Sequence, residues 1–132
     1  MKNKETVLPA PVLIVEDEAM IRSRLDLILS ELGYSQDMLI FAKNLAEAMQ
    51  IIASQPISLA LVDLGLPDGN GITLIEKLRE IDESALILVI SAWSTQQSLF
   101  ASIKAGANGY VLKERDDAEV LMSIRSLSLI HI

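Results

Sequence analysis

Short apolar runs alternate along the chain with longer stretches in which apolar residues recur at helical spacing. The first run, Val12 to Val15, is continuously apolar, as strands buried on both faces usually are. The stretch from Glu18 to Leu32 places its apolar residues on one helical face, and Gly33 follows as a C-terminal stop. This first unit is therefore predicted to be a strand followed by a helix.

The same alternation continues to the end of the chain. Further strands are predicted at residues 38–41, 57–62, 86–90 and 110–112. Further helices are predicted at residues 45–52, 72–81 and 95–105, and from 116 or 117 onward. Five strand–helix units in 132 residues predict an α/β fold: a doubly wound, five-stranded parallel sheet flanked by five helices, with right-handed crossovers. The strand at 86–90 is nearly pure aliphatic and is predicted to be central.

Two of the predicted helices have recognisable local features. Asn44 can cap the second helix, and Glu47, three residues later, completes a capping-box pattern. In the third helix, apolar residues recur at helical spacing, at Ile72, Ile75, Leu78 and Ile81.

The residues that close the predicted strands carry the candidate chemistry. In an open parallel sheet, the binding site lies beyond the carboxyl ends of the strands. The strand-closing residues here are Glu16 with Asp17, Asp63, Ser91 and Lys113. Carboxylates gathered at one edge repel each other unless a cation neutralises them. The sequence thus predicts a divalent-cation site at this edge.

The expected metal is a hard cation. Oxygen ligands from Asp17 and Asp63, with water and a backbone carbonyl near Gly65, suit Mg²⁺ or Mn²⁺. A zinc site is not expected, because the chain has no cysteine and its single histidine, His131, lies at the far terminus.

Asp63 is the candidate nucleophile. A carboxylate beside a metal can attack a phosphoryl donor and form an acyl phosphate. Lys113 would then offset the added negative charge, and Ser91 would donate a hydrogen bond. A phosphohydrolase is less expected, since such sites place a second acid two residues after the nucleophile, where this chain has Gly65. A flavin carrier is disfavoured because the acidic residues after the first strand would repel its phosphate.

Composition narrows the functional classes further. Half of the residues are apolar, which is enough for one domain with a real core. The 11 lysines and arginines against 18 acids give a net charge of −7, so direct nucleic-acid binding by this domain is not expected. The first apolar run is too short for a signal sequence or a membrane span, so a soluble, cytoplasmic protein is expected.

Four motifs place the chain beside a known family. In order along the sequence they are LIVEDE, LALVDLGLPDGNG, LVISA and GYVLK. With this order and spacing, the chain resembles the receiver domain of bacterial two-component response regulators, over roughly Val12 to Leu127. The resemblance implies a flavodoxin-like receiver fold. It also implies site roles. Glu16 and Asp17 would be the acidic metal-binding pair, and Asp63 the phosphoacceptor. Ser91 would be the hydroxyl switch, Tyr110 the aromatic switch and Lys113 the lysine contact.

The resemblance also implies partners and domain limits. The phosphoryl donor would be a sensor histidine kinase or phosphotransfer protein, and phosphorylation would favour a homodimer. Transcription would be controlled through a helix-turn-helix output domain outside this chain, with residues 1–10 as a tail, 11–127 as the receiver and 128–132 as a tail or linker. The domain would catalyse only its own phosphoryl transfer and slow dephosphorylation. The alternative is a receiver-like interaction module that acts without phosphorylation.

Three positions depart from or refine the family pattern. Glu114 stands where many receivers have proline after the lysine, which leaves the peptide geometry there open. Gly65 and Trp93, each two residues beyond a site residue, are expected to influence the lifetime of the acyl phosphate.

Overall fold

The computed structural model describes residues 8–128, in which strands and helices alternate. The strands are β1 (Val12–Val15), β2 (Leu39–Ala42), β3 (Leu59–Val62), β4 (Gly65–Leu66), β5 (Gly69–Asn70), β6 (Leu86–Ser91) and β7 (Gly109–Leu112). The helices are α1 (Ala19–Glu31), α2 (Leu45–Ser54), α3 (Gly71–Ile81), α4 (Gln96–Ala105) and α5 (Asp117–Ser128). His131 and the last residues of the chain lie outside the described part.

Five of these strands form one parallel sheet in the order β2-β1-β3-β6-β7. All four neighbouring pairs are parallel, so the predicted doubly wound five-stranded sheet is confirmed. The centre of the sheet is β3, whereas β6, predicted to be central, is an inner strand between β3 and β7. Because β3 is central, the residue that follows it lies in the middle of the carboxyl edge.

Helices cover both faces of the sheet and bury its inner strands completely. On one face, α1 and α5 pack their apolar residues against the sheet. On the other face, α2 and α3 do so, with α4 beside α3. Every residue of β1, β3 and β6 is buried, which explains why these strands are continuous apolar runs rather than alternating ones.

The second unit differs in detail from its prediction. A 3₁₀ turn occupies Gln36–Met38, so β2 begins one residue later than expected. The Asn44 side chain caps α2 by accepting from the Glu47 N–H at 2.8 Å. The Glu47 carboxylate, however, accepts from the N–H of Lys43 at 2.9 Å, one residue before the cap. These two hydrogen bonds therefore fix the residue before the cap as well as the first turn of the helix.

The apolar residues that mark α3 differ in burial. Ile75 and Leu78 are buried, Ile72 is half-buried, and Ile81, the last residue of the helix, is 51% exposed. Leu74 is fully buried. The spacing therefore identified the helix, but not every residue that marked it faces the core.

The turn after β3 is a small antiparallel hairpin of β4 and β5. Asp68, at its tip, accepts hydrogen bonds from the N–H groups of Leu45 at 2.7 Å and Ala46 at 2.9 Å. These bonds lower the pKa of Asp68 and anchor the hairpin to the N-terminus of α2. The hairpin is thus held against a neighbouring helix on the edge where the candidate site lies.

No helix in the range 8–128 combines the length and apolarity needed to cross a bilayer.

Candidate functional site

The sheet brings the predicted strand-closing residues to one edge. Glu16 and Asp63 directly follow β1 and β3, and their backbone N–H groups continue the ladder, to Ala42 O and Val15 O, both at 3.0 Å. Their side chains point into a closed environment, since Glu16 is 1% and Asp63 5% exposed. Asp17 is exposed. The edge therefore holds two buried carboxylates beside one that reaches solvent.

Lys113 lies among these acids. Its Nζ is 3.0 Å from Glu16 Oε1 and 3.1 Å from Asp63 Oδ2, and its side chain is 14% exposed. Glu18 is a weaker partner, with Oε1 at 3.5 Å. One ammonium thus bridges both buried carboxylates, which are the ones that most need a counter-charge.

The acidic residues have the spacing of a cation site. One carboxylate oxygen from each of Glu16, Asp17 and Asp63 lies within 4.8 Å of the others. Ligands about 2.1 Å from an octahedral Mg²⁺ would be about 3 Å apart at neighbouring positions and about 4.2 Å apart at opposite ones. The Gly65 N–H donates to Asp63 Oδ1 at 3.2 Å, which places Gly65 beside the same carboxylate. The oxygen-rich donor set fits a hard divalent cation.

The two buried carboxylates and the half-buried Lys113 have shifted pKa values. Burial raises the pKa of Asp63, although Lys113 opposes the shift. Burial raises the pKa of Glu16 as well, against a hydrogen bond from the Glu18 N–H and one from Lys113. Burial alone would lower the pKa of Lys113, but its hydrogen bonds and attraction to Glu16 and Asp63 outweigh this, and its pKa is raised. Burial thus disfavours the charged form of both carboxylates, whereas these carboxylates favour the charged form of Lys113.

Asp63→Asn is expected to stabilise the metal-free protein by about 1 kcal/mol at neutral pH. The pKa of Asp63 is raised in the folded state, so the folded protein binds a proton at this carboxylate more tightly than the unfolded chain does. Asp63 therefore destabilises the fold when it is ionised and ceases to do so when it is protonated. The stability gap between variant and wild type should thus narrow as the pH falls through the raised pKa, down to the ordinary value of about 3.9. Urea unfolding in chelator across this range measures the gap.

Other carboxylates do not obscure that comparison. Hydrogen bonds from Ser84 lower the pKa of Asp82, and those from the start of α2 lower the pKa of Asp68. Both carboxylates therefore stabilise the fold less as the pH falls. They do so equally in wild type and variant and cancel in the difference. A gap that stays constant with pH would contradict the burial effect at Asp63.

Ser91, Trp93 and Tyr110 form a linked set behind the site. Ser91 is buried, and its Oγ accepts from the Trp93 N–H at 3.0 Å. The Tyr110 hydroxyl donates to the Trp93 carbonyl at 2.6 Å. The Trp93 ring lies over Gly65, where its Cζ2 would be 3.2 Å from an added Cβ. The backbone of Trp93 thus connects the hydroxyl of Ser91 to the ring of Tyr110.

Two arginines of α1 were not identified from the sequence. Arg22 donates from Nη1 to the carbonyl of Glu16 at 2.8 Å. Arg24 reaches the loop after β7, donating from Nη1 to the carbonyl of Lys113 at 2.7 Å. An arginine on a surface helix is usually a solvated charge, and backbone carbonyl partners leave no sequence pattern, so nothing in the sequence distinguished these two.

The fold and the carboxyl-edge site define a signalling receiver domain. Residues 12–125 match the sequence model of the response regulator receiver domain, and the chain belongs to that family. It is therefore a receiver domain of the two-component response regulators.

Individual relatives agree with this assignment. The chain is 35% identical over 116 residues to the transcriptional regulatory protein PhoP of Escherichia coli (strain K12), covering 88% of this chain and 51% of that protein. The chain thus spans about half the length of this relative. It is also similar to the beryllofluoride-activated NtrC4 receiver domain dimer, with TM-score 0.79, 30% identity, and coverage of 89% of this chain and 94% of that one.

A third similar structure contains bound groups. It is a response regulator from Burkholderia pseudomallei with a phosphorylated aspartic acid, a calcium ion and citrate. The TM-score is 0.75 at 25% identity, and the match covers 86% of this chain and 65% of that one.

Proposed function

We propose that Asp63 accepts a phosphoryl group from a phosphohistidine of a sensor histidine kinase or phosphotransfer protein. A carboxylate oxygen of Asp63 would bond to phosphorus as the phosphorus–nitrogen bond breaks, and the imidazole would leave with that electron pair. The observation that carries the proposal is the Lys113 ammonium, 3.1 Å from Asp63 on an edge where carboxylates have cation spacing. The phosphorylated aspartic acid of the Burkholderia pseudomallei relative supports it.

The neighbouring residues would bind the metal and compensate the charge of the phosphoryl group. Glu16, Asp17, Asp63 and the Gly65 carbonyl would hold Mg²⁺ or Mn²⁺, and the cation would supply positive charge to offset that of the phosphoryl group. Lys113, already beside Asp63, would pair with a phosphoryl oxygen. The domain would catalyse only its own phosphoryl transfer and slow dephosphorylation.

The switch would operate through Ser91 and Tyr110. The Ser91 Oγ uses a lone pair for the Trp93 N–H, so its own hydrogen remains available to a phosphoryl oxygen. A phosphoryl group on Asp63 would draw Ser91 inward, and the bonded backbone of Trp93 would move with it. Tyr110 would follow, because its hydroxyl is bound to the Trp93 carbonyl. The response would reach the surface of α4, β7 and α5.

That surface has the character of a partner site. Helix α4 exposes three large apolar side chains: Leu99, Phe100 and Ile103. We propose that phosphorylation favours a homodimer, supported by the dimeric NtrC4 receiver. Direct nucleic-acid binding by this acidic domain is not part of the proposal, nor is membrane binding.

The PhoP relative supports a wider role. We propose that the receiver, residues 11–127 between short tails at 1–10 and 128–132, controls transcription through an output domain outside this chain. Its setting would be the cytoplasm, where sensor kinases present their phosphohistidine.

Intact mass after incubation with acetyl phosphate and Mg²⁺ tests the proposal. One phosphoryl group, labile to base, should appear on the wild type and be absent from Asp63→Asn and from a chelated sample. If folded wild type with Mg²⁺ gains no mass from acetyl phosphate or from a phosphorylated histidine kinase, the proposal that Asp63 is phosphorylated is wrong. A receiver-like interaction module that acts without phosphorylation then replaces it.

Trp93→Ala is expected to shorten the lifetime of the acyl phosphate by about threefold to tenfold. The indole lies over Gly65, and its removal opens a path for water to a phosphoryl group on Asp63. The decay of the phosphorylated mass after removal of the donor measures the lifetime. Leu27→Ala, which removes an exposed apolar side chain from α1, is the control and should leave the lifetime unchanged. A lifetime in Trp93→Ala equal to or longer than wild type would contradict shielding by the indole.

A further inference from the structure

Arg24 binds the loop between β7 and α5 through a guanidinium fork. Its Nη1 donates to Lys113 O at 2.7 Å, its Nη2 to Arg115 O, and its Nε to Asp117 Oδ1. The Arg24 side chain is 22% exposed. One side chain of α1 therefore holds three successive points of a loop about 90 residues away in sequence.

The loop is a turn that a backbone hydrogen bond closes, from the Arg115 N–H to the Leu112 carbonyl at 3.1 Å. Its residues Lys113, Glu114, Arg115 and Asp116 include no proline or β-branched side chain to restrict the backbone. On the strand side, the Lys113 N–H is held by the Ser91 carbonyl at 2.9 Å. On the loop side, the Lys113 carbonyl is held by Arg24. The backbone from which the ammonium extends is thus fixed at both ends, one of them by Arg24.

We infer that Arg24 is a positioning residue for the proposed phosphoryl transfer, holding the Lys113 backbone so that its ammonium stays on Asp63 and Glu16. The inference rests on the proposed function for its effect on transfer. A purely structural link between α1 and α5 would instead affect stability and leave the behaviour of Lys113 unchanged. The two roles are distinguished by whether the effect of Arg24 depends on Lys113.

The test combines Arg24→Gln with Lys113→Met. With saturating Mg²⁺ and acetyl phosphate, Arg24→Gln should lower the initial rate of mass gain by about tenfold, the scale set by misplacing a reacting group. In the Lys113→Met background, the same substitution should change the rate by less than about twofold, because acting through Lys113 makes the effects non-additive. Arg125→Gln, which removes an exposed arginine from α5, should match wild type.

A second readout does not require phosphorylation. Trp93 is the only tryptophan, and its ring lies over Gly65, so its fluorescence should report Mg²⁺ binding. The Lys113 ammonium, held on the carboxylates, opposes binding of the cation. Arg24→Gln releases it and should therefore shift the midpoint of the Mg²⁺ titration to lower concentration. In the Lys113→Met background, Arg24→Gln should cause no further shift. Arg24→Lys, which keeps the charge but not the fork, should shift it in the same direction. If Arg24→Gln fails to fold by circular dichroism, Arg24→Lys takes its place in every comparison.

The outcomes separate this inference from the proposed function. If the wild type gains no mass, the proposed function fails, and the Mg²⁺ titration alone decides on Arg24. Equal rates and midpoints in folded Arg24→Gln and wild type would overturn the positioning role. So would an effect of equal size with and without Lys113.

Discussion

Lys113→Met is expected to lower the rate of phosphorylation by about 100-fold, comparable to removing one group that stabilises developing charge in an active site. The ammonium contacts both Glu16 and Asp63, and methionine retains the length of the stem without the charge. The rate should be measured as initial mass gain with acetyl phosphate at saturating Mg²⁺, since metal affinity also changes. A rate within about threefold of wild type would contradict a role for the ammonium in transfer.

The same substitution should lower the free energy of unfolding by about 3 kcal/mol in chelator, because it leaves buried carboxylates without their counter-charge. Mg²⁺ should then stabilise the variant more than the wild type, since a ligand at 100 times its Kd contributes about 2.7 kcal/mol and the variant binds the cation more tightly. Lys77→Met is the control. It breaks only an exposed pair with Glu80, 3.3 Å apart, and should cost less than about 1 kcal/mol. Equal stability losses in the two variants would contradict this account of the buried pairs.

Gly71→Ala is expected to destabilise the domain by about 3 kcal/mol through a steric clash. An added Cβ would lie 2.5 Å from the carbonyl oxygen of Asp63, 3.0 Å from Val62 Cγ1 and 3.1 Å from Leu64 Cα. Two of these neighbours are backbone atoms next to the site, so relieving the clash moves the Asp63 peptide itself. The higher helix propensity of alanine, at most about 1 kcal/mol, does not compensate. Urea unfolding followed by circular dichroism measures the loss.

Gly109→Ala supplies a matched control. Its Cβ would meet Leu88 Cδ1 at 3.0 Å, and the end of a leucine side chain can move, so a cost near 1 kcal/mol is expected. Gly71→Ala should also slow phosphorylation by about tenfold, whereas Gly109→Ala should not. If the two substitutions have equal effects, the close packing of Gly71 on Asp63 is not what requires glycine.

The sheet and its functional edge could be predicted because their signals are local. Continuous apolar runs identified the buried strands, and parallel pairing places the ends of those strands on one edge. Asp63 and Lys113 could therefore be placed together although they are 50 residues apart.

The contacts that complete the site could not be predicted in the same way. The partners of Arg24 include backbone carbonyls of the loop after β7, and every residue has a carbonyl. The hydrogen bonds that Asp68 accepts from the first N–H groups of α2 likewise depend on how the hairpin packs. Helical spacing identified α3, but Ile81 shares that spacing and is exposed, because burial depends on how the helix packs.

The distribution of the site along the chain has a consequence for biosynthesis. Lys113 and Glu16 lie 97 positions apart, and no segment shorter than that span contains both. Their contact closes a long loop, and the entropy cost of closing that loop opposes its formation. A nascent chain still lacking β7 has the acidic residues without the ammonium between them. On the proposed function, such a chain would accept phosphoryl groups slowly, as is expected of Lys113→Met.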